Sequence, residues 1–416
     1  MGQHDASPGT VLRKGGARRE KVKAGKEAPK LGVKEAVWEF FDSSWFVLRM
    51  VGKLLWALKA SARCFYLLGR LLLYILLLLP VFIRATAYCW LHPSVSNFVR
   101  YGPKRRNLMD IYMLRQEFLD AGPQPVVVFF TGGVWIIGYK MWGMFMGMVL
   151  QRLGVLLIVP DYRNFPQATG EEMVEDVTLA VQWSLDHCRE YGGDPSRLFV
   201  AGQSAGAHLL AMALLRRADR VHCESQVTAP VETKQITPIS WKPKELAAFV
   251  GISGPFDLVD LAGHFHERGL DKRILSSIFE GRLAEFSPTR LVDRHRAKQL
   301  PPALLVHGTA DSSVPSRSAS DFAAALQTAG AEVNIKLYAG KSHTDPILED
   351  PMAGNDPLIE ELSQLVRSTE PSKAIKLICE GCAKLGKDVE LDAAIPQGRR
   401  MMPLPVLQLA RIINPF

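Results

Sequence analysis

Ser204 lies in Gly202-Gln203-Ser204-Ala205-Gly206, and the residues around this pentapeptide decide whether it is chemistry or coincidence. As a bare pattern G-x-S-x-G arises often by chance. Here an apolar run, Leu198 to Ala201, leads into it and an apolar helical stretch follows at once, the strand-turn-helix context that exposes a serine Oγ at the tip of a sharp turn. Gly202 and Gly206 are then explained by crowding against the neighbouring strand and helix. Ser204 would also sit at the positive end of the following helix.

A serine is a poor nucleophile until a base takes its proton, so the reading demands a later carboxylate and then a histidine, each at the end of a strand. Both occur in that order. Asp311 follows the run Ala303 to His307 on the loop Gly308-Thr309-Ala310-Asp311, and His343 follows Val333 to Tyr338 on Gly340-Lys341-Ser342-His343. Ser204, Asp311 and His343 form the expected catalytic set. Acyl transfer also needs donors for the oxyanion, and Thr131-Gly132-Gly133-Val134-Trp135, directly after the first parallel strand, offers the Gly132 and Gly133 N–H groups beside that of Ala205. Neither a metal nor an organic cofactor is required.

Other reactive side chains have plainer readings. His208 is expected to pack on the helix after Ser204, and His264 and His266 lack a third ligand for a metal. Cys379 and Cys382 form a lone C-x-x-C without the second pair of a zinc site or a thioredoxin-like βαβ setting, and the six scattered cysteines suggest a reducing compartment. Asp161-Tyr162-Arg163 is read as a structural cross-link between loops.

The elements that must position these groups are legible as short apolar runs alternating with helical patterns. Candidate strands are 126–130, 155–159, 198–201, 247–252, 303–307 and 333–338; helical periodicity covers 172–191, 205–217, 318–329 and 358–366. Near-continuous apolar strands imply burial on both faces, hence a doubly wound, mostly parallel α/β sheet. The segment 217–245 reads as a polar insertion.

The whole chain has 416 residues with 48% hydrophobic and 22% charged side chains, ordinary globular composition that excludes collagen-like, wholly disordered and disulfide-scaffold classes. Its net charge of +8 is uneven: residues 1–106 hold 19 Lys and Arg against 6 Asp and Glu, and the rest is mildly acidic. A basic N-terminal third fits nucleic acid or an anionic membrane, and its hydrophobicity favours membrane. Arg49, Lys53, Lys59, Arg63 and Arg70 share one arc of about 120° on a helix studded with Trp and Leu, as in a helix lying among lipid headgroups. Leu71 to Ile83 follows as thirteen apolar residues, about 20 Å of helix, short of a bilayer core of about 30 Å unless residues 64–70 join it. Spanning and in-plane insertion are both open, with Pro80 a candidate kink or hairpin. The expected organisation is a basic disordered tail (1–44), membrane-associated helices (45–97), an α/β-hydrolase catalytic domain (98–370, with 254–300 as a cap) and a C-terminal extension (371–416).

Several stretches then resemble one family, the isoprenylcysteine alpha-carbonyl methylesterases: Thr131 to Lys140 (TGGVWIIGYK), Asp161 to Gln167 (DYRNFPQ), Tyr191 to Pro195 (YGGDP), Gly202 to His208 (GQSAGAH), His264 to Leu270 (HFHERGL), His307 to Pro315, and Gly340 to Asp345 with Asp350-Pro351-Met352. The T-G-G-x-W-I-I-G-Y-K stretch is far more specific than G-x-S-x-G. The likeness spans roughly residues 98 to 367 and the extreme C-terminus. It implies a membrane-bound α/β-hydrolase that cleaves the methyl ester of a C-terminal farnesyl- or geranylgeranyl-cysteine. The implied partners are prenylated, methylated proteins or prenylcysteine methyl ester, together with anionic lipids, and no nucleic acid. The implied place is the endoplasmic reticulum or Golgi, with the catalytic domain facing the cytosol. An arylformamidase, a broad carboxylesterase or lipase, and a non-catalytic receptor or scaffold on the same fold are the alternatives.

Overall fold

The structure, a computed structural model, describes residues 62–226, 239–268, 273–354, 356–380 and 400–416. Arg49, Lys53 and Lys59 of the basic face, the tail 1–44 and Cys382 lie outside those residues, as do the side chain of Arg63 and positions 227–238 of the expected insertion.

Two strands that the apolar runs did not announce, β1 (Val95–Arg100) and β2 (Leu108–Tyr112), open the sheet. The six expected strands follow as β3 (Gln124–Phe130), β4 (Leu156–Pro160), β5 (Gly193–Gln203), β6 (Ala248–Ile252), β7 (Ala303–Gly308) and β8 (Val333–Tyr338). Their order is β1-β2-β4-β3-β5-β6-β7-β8. Every pair from β4 to β8 is parallel, while β2 runs antiparallel to both β1 and β4. The expected doubly wound sheet is therefore present, with an antiparallel edge.

Apolar side chains alternate across it with period two. Val126, Val128 and Phe130 join Leu156 and Ile158 in one core, and Val127 and Phe129 join Leu157 and Val159 in the other. The principal helices among the described residues are α1 (Ala62–Leu91), α2 (Met144–Leu150), α3 (Gly170–His187), α4 (Ala205–Gln226), α5 (Leu258–Glu267), α6 (Arg317–Ala329), α7 (Pro357–Arg367), α8 (Pro371–Cys379) and α9 (Leu404–Ile413). The first core takes α3, α4, α5 and α6; the second takes α1, α2, α7, α8 and α9. Local signals set the ends. A capping box of Thr169 and Glu172 starts α3, the Asp356 carboxylate accepts from the Ile359 N–H to start α7, and Gly330 in the left-handed region closes α6.

Helix α1 is longer than the thirteen-residue apolar run and continues through Pro80. Its inner face, Tyr74, Leu78, Val81, Ala85 and Cys89, is buried in the second core, while Leu72, Leu76, Leu79 and Ile83 are exposed. Leu68–Leu91 is long and apolar enough to cross a membrane. The expected polar insertion begins later than residue 217, because α4 runs to Gln226.

Candidate active site

Parallel strands deliver their carboxyl ends to one edge of the sheet, where loops carry side chains past the core. At the end of β5 the backbone turns sharply: Ser204 has φ +53°, in the left-handed region, and α4 starts at the next residue. The two flanking glycines are sterically required. A Cβ on Gly206 would lie 2.2 Å from the Phe130 carbonyl oxygen, and one on Gly202 would lie 2.7 Å from the Ala207 nitrogen. The Ser204 N–H is tied to the Ile252 carbonyl at 2.8 Å, so the turn is braced from β6.

Asp311 and His343, from the ends of β7 and β8, meet directly: Nδ1 of His343 lies 2.6 Å from Oδ2 of Asp311. The other carboxylate oxygen accepts from the backbone N–H groups of Ser313 and Val314, each at 2.9 Å. Burial alone would raise the Asp311 pKa, but the His343 and His307 rings outweigh it and hold the carboxyl well below the usual range. His307, expected only as a strand end, thus faces the same carboxylate at 3.1 Å and bonds the Val314 carbonyl at 2.9 Å. The H-G-T-A-D spacing is the signal that could have found it.

The third member stands slightly apart. In this conformation Nε2 of His343 faces the Gln203 carboxamide nitrogen at 3.3 Å, and among the described residues no hydrogen bond joins it to Ser204 Oγ. Gln203 Nε2 also lies 3.4 Å from the His343 carbonyl. With Nδ1–H directed at Asp311, the Nε2 lone pair is free to accept, and the Gln203 carboxamide N–H donates to it.

Gly132 is pressed against the same turn, since a Cβ there would stand 2.8 Å from the Ser204 Cβ. Gly133 has φ +135°, and Val134 and Trp135 both occupy the left-handed region, so the loop is wound tightly. Among the described residues the N–H groups of Gly132, Gly133 and Ala205 have no acceptor. Unmade donors beside a serine that is itself only 7% exposed are what a developing oxyanion needs.

Buried polar contacts hold this loop. Tyr162 donates to the Thr131 carbonyl at 2.9 Å, Asn164 and Arg106 donate to the Gly138 carbonyl at 2.8 Å, and Arg106 pairs with Asp161. Arg163 pairs with Asp176 and Glu172 of α3 at 2.8 Å. The Asp-Tyr-Arg segment is therefore a brace between loop and helix. His208 packs on α4: the Trp135 indole donates to its Nδ1 at 3.2 Å and its Nε2 bonds the Phe286 carbonyl at 2.7 Å, and burial depresses its pKa to about 4. From α5, His264 Nε2 reaches the Ser312 carbonyl at 3.0 Å, on the Asp311 loop.

Beside the Asp311 and His343 loops lies a cavity of about 380 Å³ whose lining includes Arg70, Arg268, Ser312, Ser342 and Arg411. Directly after His343 a buried polar cluster gathers. Glu349 accepts from Thr344 at 3.0 Å, from Asn414 at 2.9 Å and from the Tyr74 hydroxyl of α1, and burial first, then the nearby Asp345 charge, raises its pKa to about 7. Among the described residues no group of three His, Cys, Asp or Glu side chains could hold a metal ion.

Comparison with known proteins gives the family. Residues 109–326 match the BD-FAE family. The chain is 37% identical over 350 residues to a probable isoprenylcysteine alpha-carbonyl methylesterase, ICMEL1, of Arabidopsis thaliana, covering 82% of this chain and 67% of that protein. It is likewise 37% identical over 373 residues to the isoprenylcysteine alpha-carbonyl methylesterase ICME of the same plant, covering 88% and 80%. A probable isoprenylcysteine alpha-carbonyl methylesterase of Oryza sativa subsp. japonica is 36% identical over 379 residues, covering 90% and 84%. The resemblance noted in the motifs thus extends over most of the chain, which belongs to the isoprenylcysteine alpha-carbonyl methylesterase family of carboxylic ester hydrolases.

Proposed function

We propose that the protein hydrolyses the methyl ester of a C-terminal prenylated cysteine to the free carboxylate and methanol, with Ser204 as nucleophile, His343 as general base and Asp311 as its orienting partner. The observation that carries the reading is the 2.6 Å bond between His343 and Asp311 beside a serine held in the left-handed turn between β5 and α4. As substrate enters, Gln203 turns aside from His343 Nε2 and Ser204 Oγ takes its place, exchanging one hydrogen bond for another. Ser204 Oγ attacks the ester carbonyl carbon and its proton passes to Nε2, while Asp311 stabilises the imidazolium. The Gly132, Gly133 and Ala205 N–H groups receive the negative oxygen. Collapse of the tetrahedral intermediate breaks the bond to methoxide, which leaves as methanol with the proton from His343. Water, deprotonated by the same ring, then attacks the acyl-serine and returns Ser204.

The depressed pKa of Asp311 supports this division of labour, because a carboxylate that stays ionised can hold one imidazole tautomer throughout the cycle. The apolar helix α1 supports membrane association, where a prenylated substrate concentrates. We assign the working surface to the cytosolic face of the endoplasmic reticulum or Golgi, in contact with anionic lipid. Methanol release from farnesylcysteine methyl ester, compared with cleavage of formylkynurenine, tests the substrate. Turnover of formylkynurenine alone would assign the chain an arylformamidase activity instead.

A further inference from the structure

We propose that α1 and α9 form an in-plane platform that enters one leaflet of the bilayer, with the acyl chains of that leaflet covering their outer faces, so that α1 does not cross the membrane. The platform rests on the membrane association proposed above and is independent of which ester is cleaved.

On the inner face of α1, Tyr74, Leu78, Val81, Ala85 and Cys89 recur every three or four residues, the spacing of one helix stripe, and all are buried against the catalytic body. Polar ties run the same length. At one end Arg70 donates to the carbonyls of Ile413 at 2.9 Å and Asn414 at 2.7 Å. Next along, Tyr74 bonds Glu349; at the far end Tyr88 bonds Gln151 at 3.0 Å and Asn97 donates to the Cys89 carbonyl at 2.7 Å. Arg70 to Cys89 is about 28 Å of helix, nearly the full hydrocarbon thickness of about 30 Å. If this stretch stood across a bilayer, the body fastened to it would stand in hydrocarbon too, with Glu349, Asp350 and Arg411 close beside it. Such burial in lipid is heavily penalised.

The outer face has the opposite character. Leu72, Leu76, Leu79 and Ile83 point within about 60° of directly outward, and Leu76 is 62% exposed. Exposed Arg84 lies on the flank, about 80° from that direction, where its head can rise to the phosphates as its stem lies along the apolar surface. Helix α9, packed on α1, adds Leu409 and Ile412, the latter 75% exposed. Two packed helices with exposed aliphatic side chains and a flanking cation match the depth profile of one leaflet. The Arg70 end of this platform adjoins the loops of Asp311 and His343 through the cavity they share. A prenyl chain leaving the same leaflet reaches the active site sideways, without the enzyme lifting off.

The test uses the full chain on vesicles of phosphatidylcholine and phosphatidylserine. Single cysteines replace Leu72, Leu76 or Ile83 in a background in which Cys64, Cys223, Cys379 and Cys382 are serine, each carrying an environment-sensitive fluorophore quenched by spin-labelled lipids of graded depth. All three are expected at one shallow depth, and Gly69→Cys and Leu91→Cys are expected to react with an impermeant thiol reagent from the same side. A depth that changes steadily along α1, or reaction of the two ends from opposite sides, establishes a spanning helix and overturns the platform. Fluorophores that stay out of lipid while the protein sediments as dimers give the face to a second copy and overturn it as well. Absence of vesicle binding overturns the membrane reading itself, while an inactive but correctly inserted protein leaves the platform standing and overturns the ester reading alone. In a second arm, Leu76→Glu with Ile83→Glu is expected to lower the vesicle-bound fraction about tenfold or more while hydrolysis of a water-soluble ester persists. Unchanged binding overturns the proposal.

Discussion

The indole of Trp135 donates to Nδ1 of His208 across 3.2 Å, joining the glycine loop that faces Ser204 to the helix that Ser204 begins. His208 is fully buried, and its Nε2 carries the link on to Phe286.

Because burial depresses the His208 pKa to about 4 from an unfolded value of about 6.5, the unfolded chain binds the extra proton first. The stability held above pH 6.5 is lost as pH falls toward 4. His208→Leu is expected to flatten that acid dependence, yet to lower the midpoint at pH 7 by leaving the Trp135 and Phe286 groups unpaired. Chemical denaturation of both proteins from pH 4 to 8 measures it; parallel curves would show that His208 does not set the acid dependence.

Ser204→Ala is expected to abolish fluorophosphonate labelling and to lower methanol release by about a thousandfold or more, with the melting temperature nearly unchanged. Wild-type protein that labels no better than the variant would favour a non-catalytic scaffold.

Asp311→Asn removes the acceptor that fixes His343, so kcat is expected to fall by about three to four orders of magnitude with a smaller change in KM. Since the Asp311 carboxyl lies well below the usual range, its own protonation should leave no mark on the acid limb of the wild-type rate profile. A second limb near pH 4 would contradict this.

Glu349 predicts the opposite pH slope from His208. Its folded pKa of about 7 lies above the usual 4.5, so the folded chain keeps a proton that the unfolded chain releases, and stability drops as pH climbs from about 4.5 to 7. Glu349→Gln should remove that component while keeping an acceptor for Tyr74, Thr344 and Asn414. Melting curves at pH 5 and 7.5 decide it.

Much of the fold was legible because its central strands are buried on both faces, which leaves uninterrupted runs such as Val126 to Phe130. The convergence of Asp311 and His343 follows from the same rule, since parallel strands end on one side. The edge was not legible. Strand β1 holds Ser96, Asn97 and Arg100, and β2 holds Asp110, so neither reads as apolar. Asp110 tolerates burial through Lys140, 2.5 Å away, and the Phe98 N–H at 3.0 Å; the Lys140 ammonium also sits over the Phe98 ring. That pairing spans thirty positions, and no local pattern announces it. The Gln203 amide facing His343 was equally hidden, because position two of the elbow is unrestricted in the motif and only the folded turn shows where its side chain lies.

Arg70 binds carbonyl groups more than 340 positions further along the chain. During synthesis, then, the first described helix emerges long before its partner exists, with its inner stripe of Tyr74, Leu78 and Val81 uncovered. Residues 144–150 cover part of that stripe first, and the ties from Arg70 form only once residues 412–414 have been made.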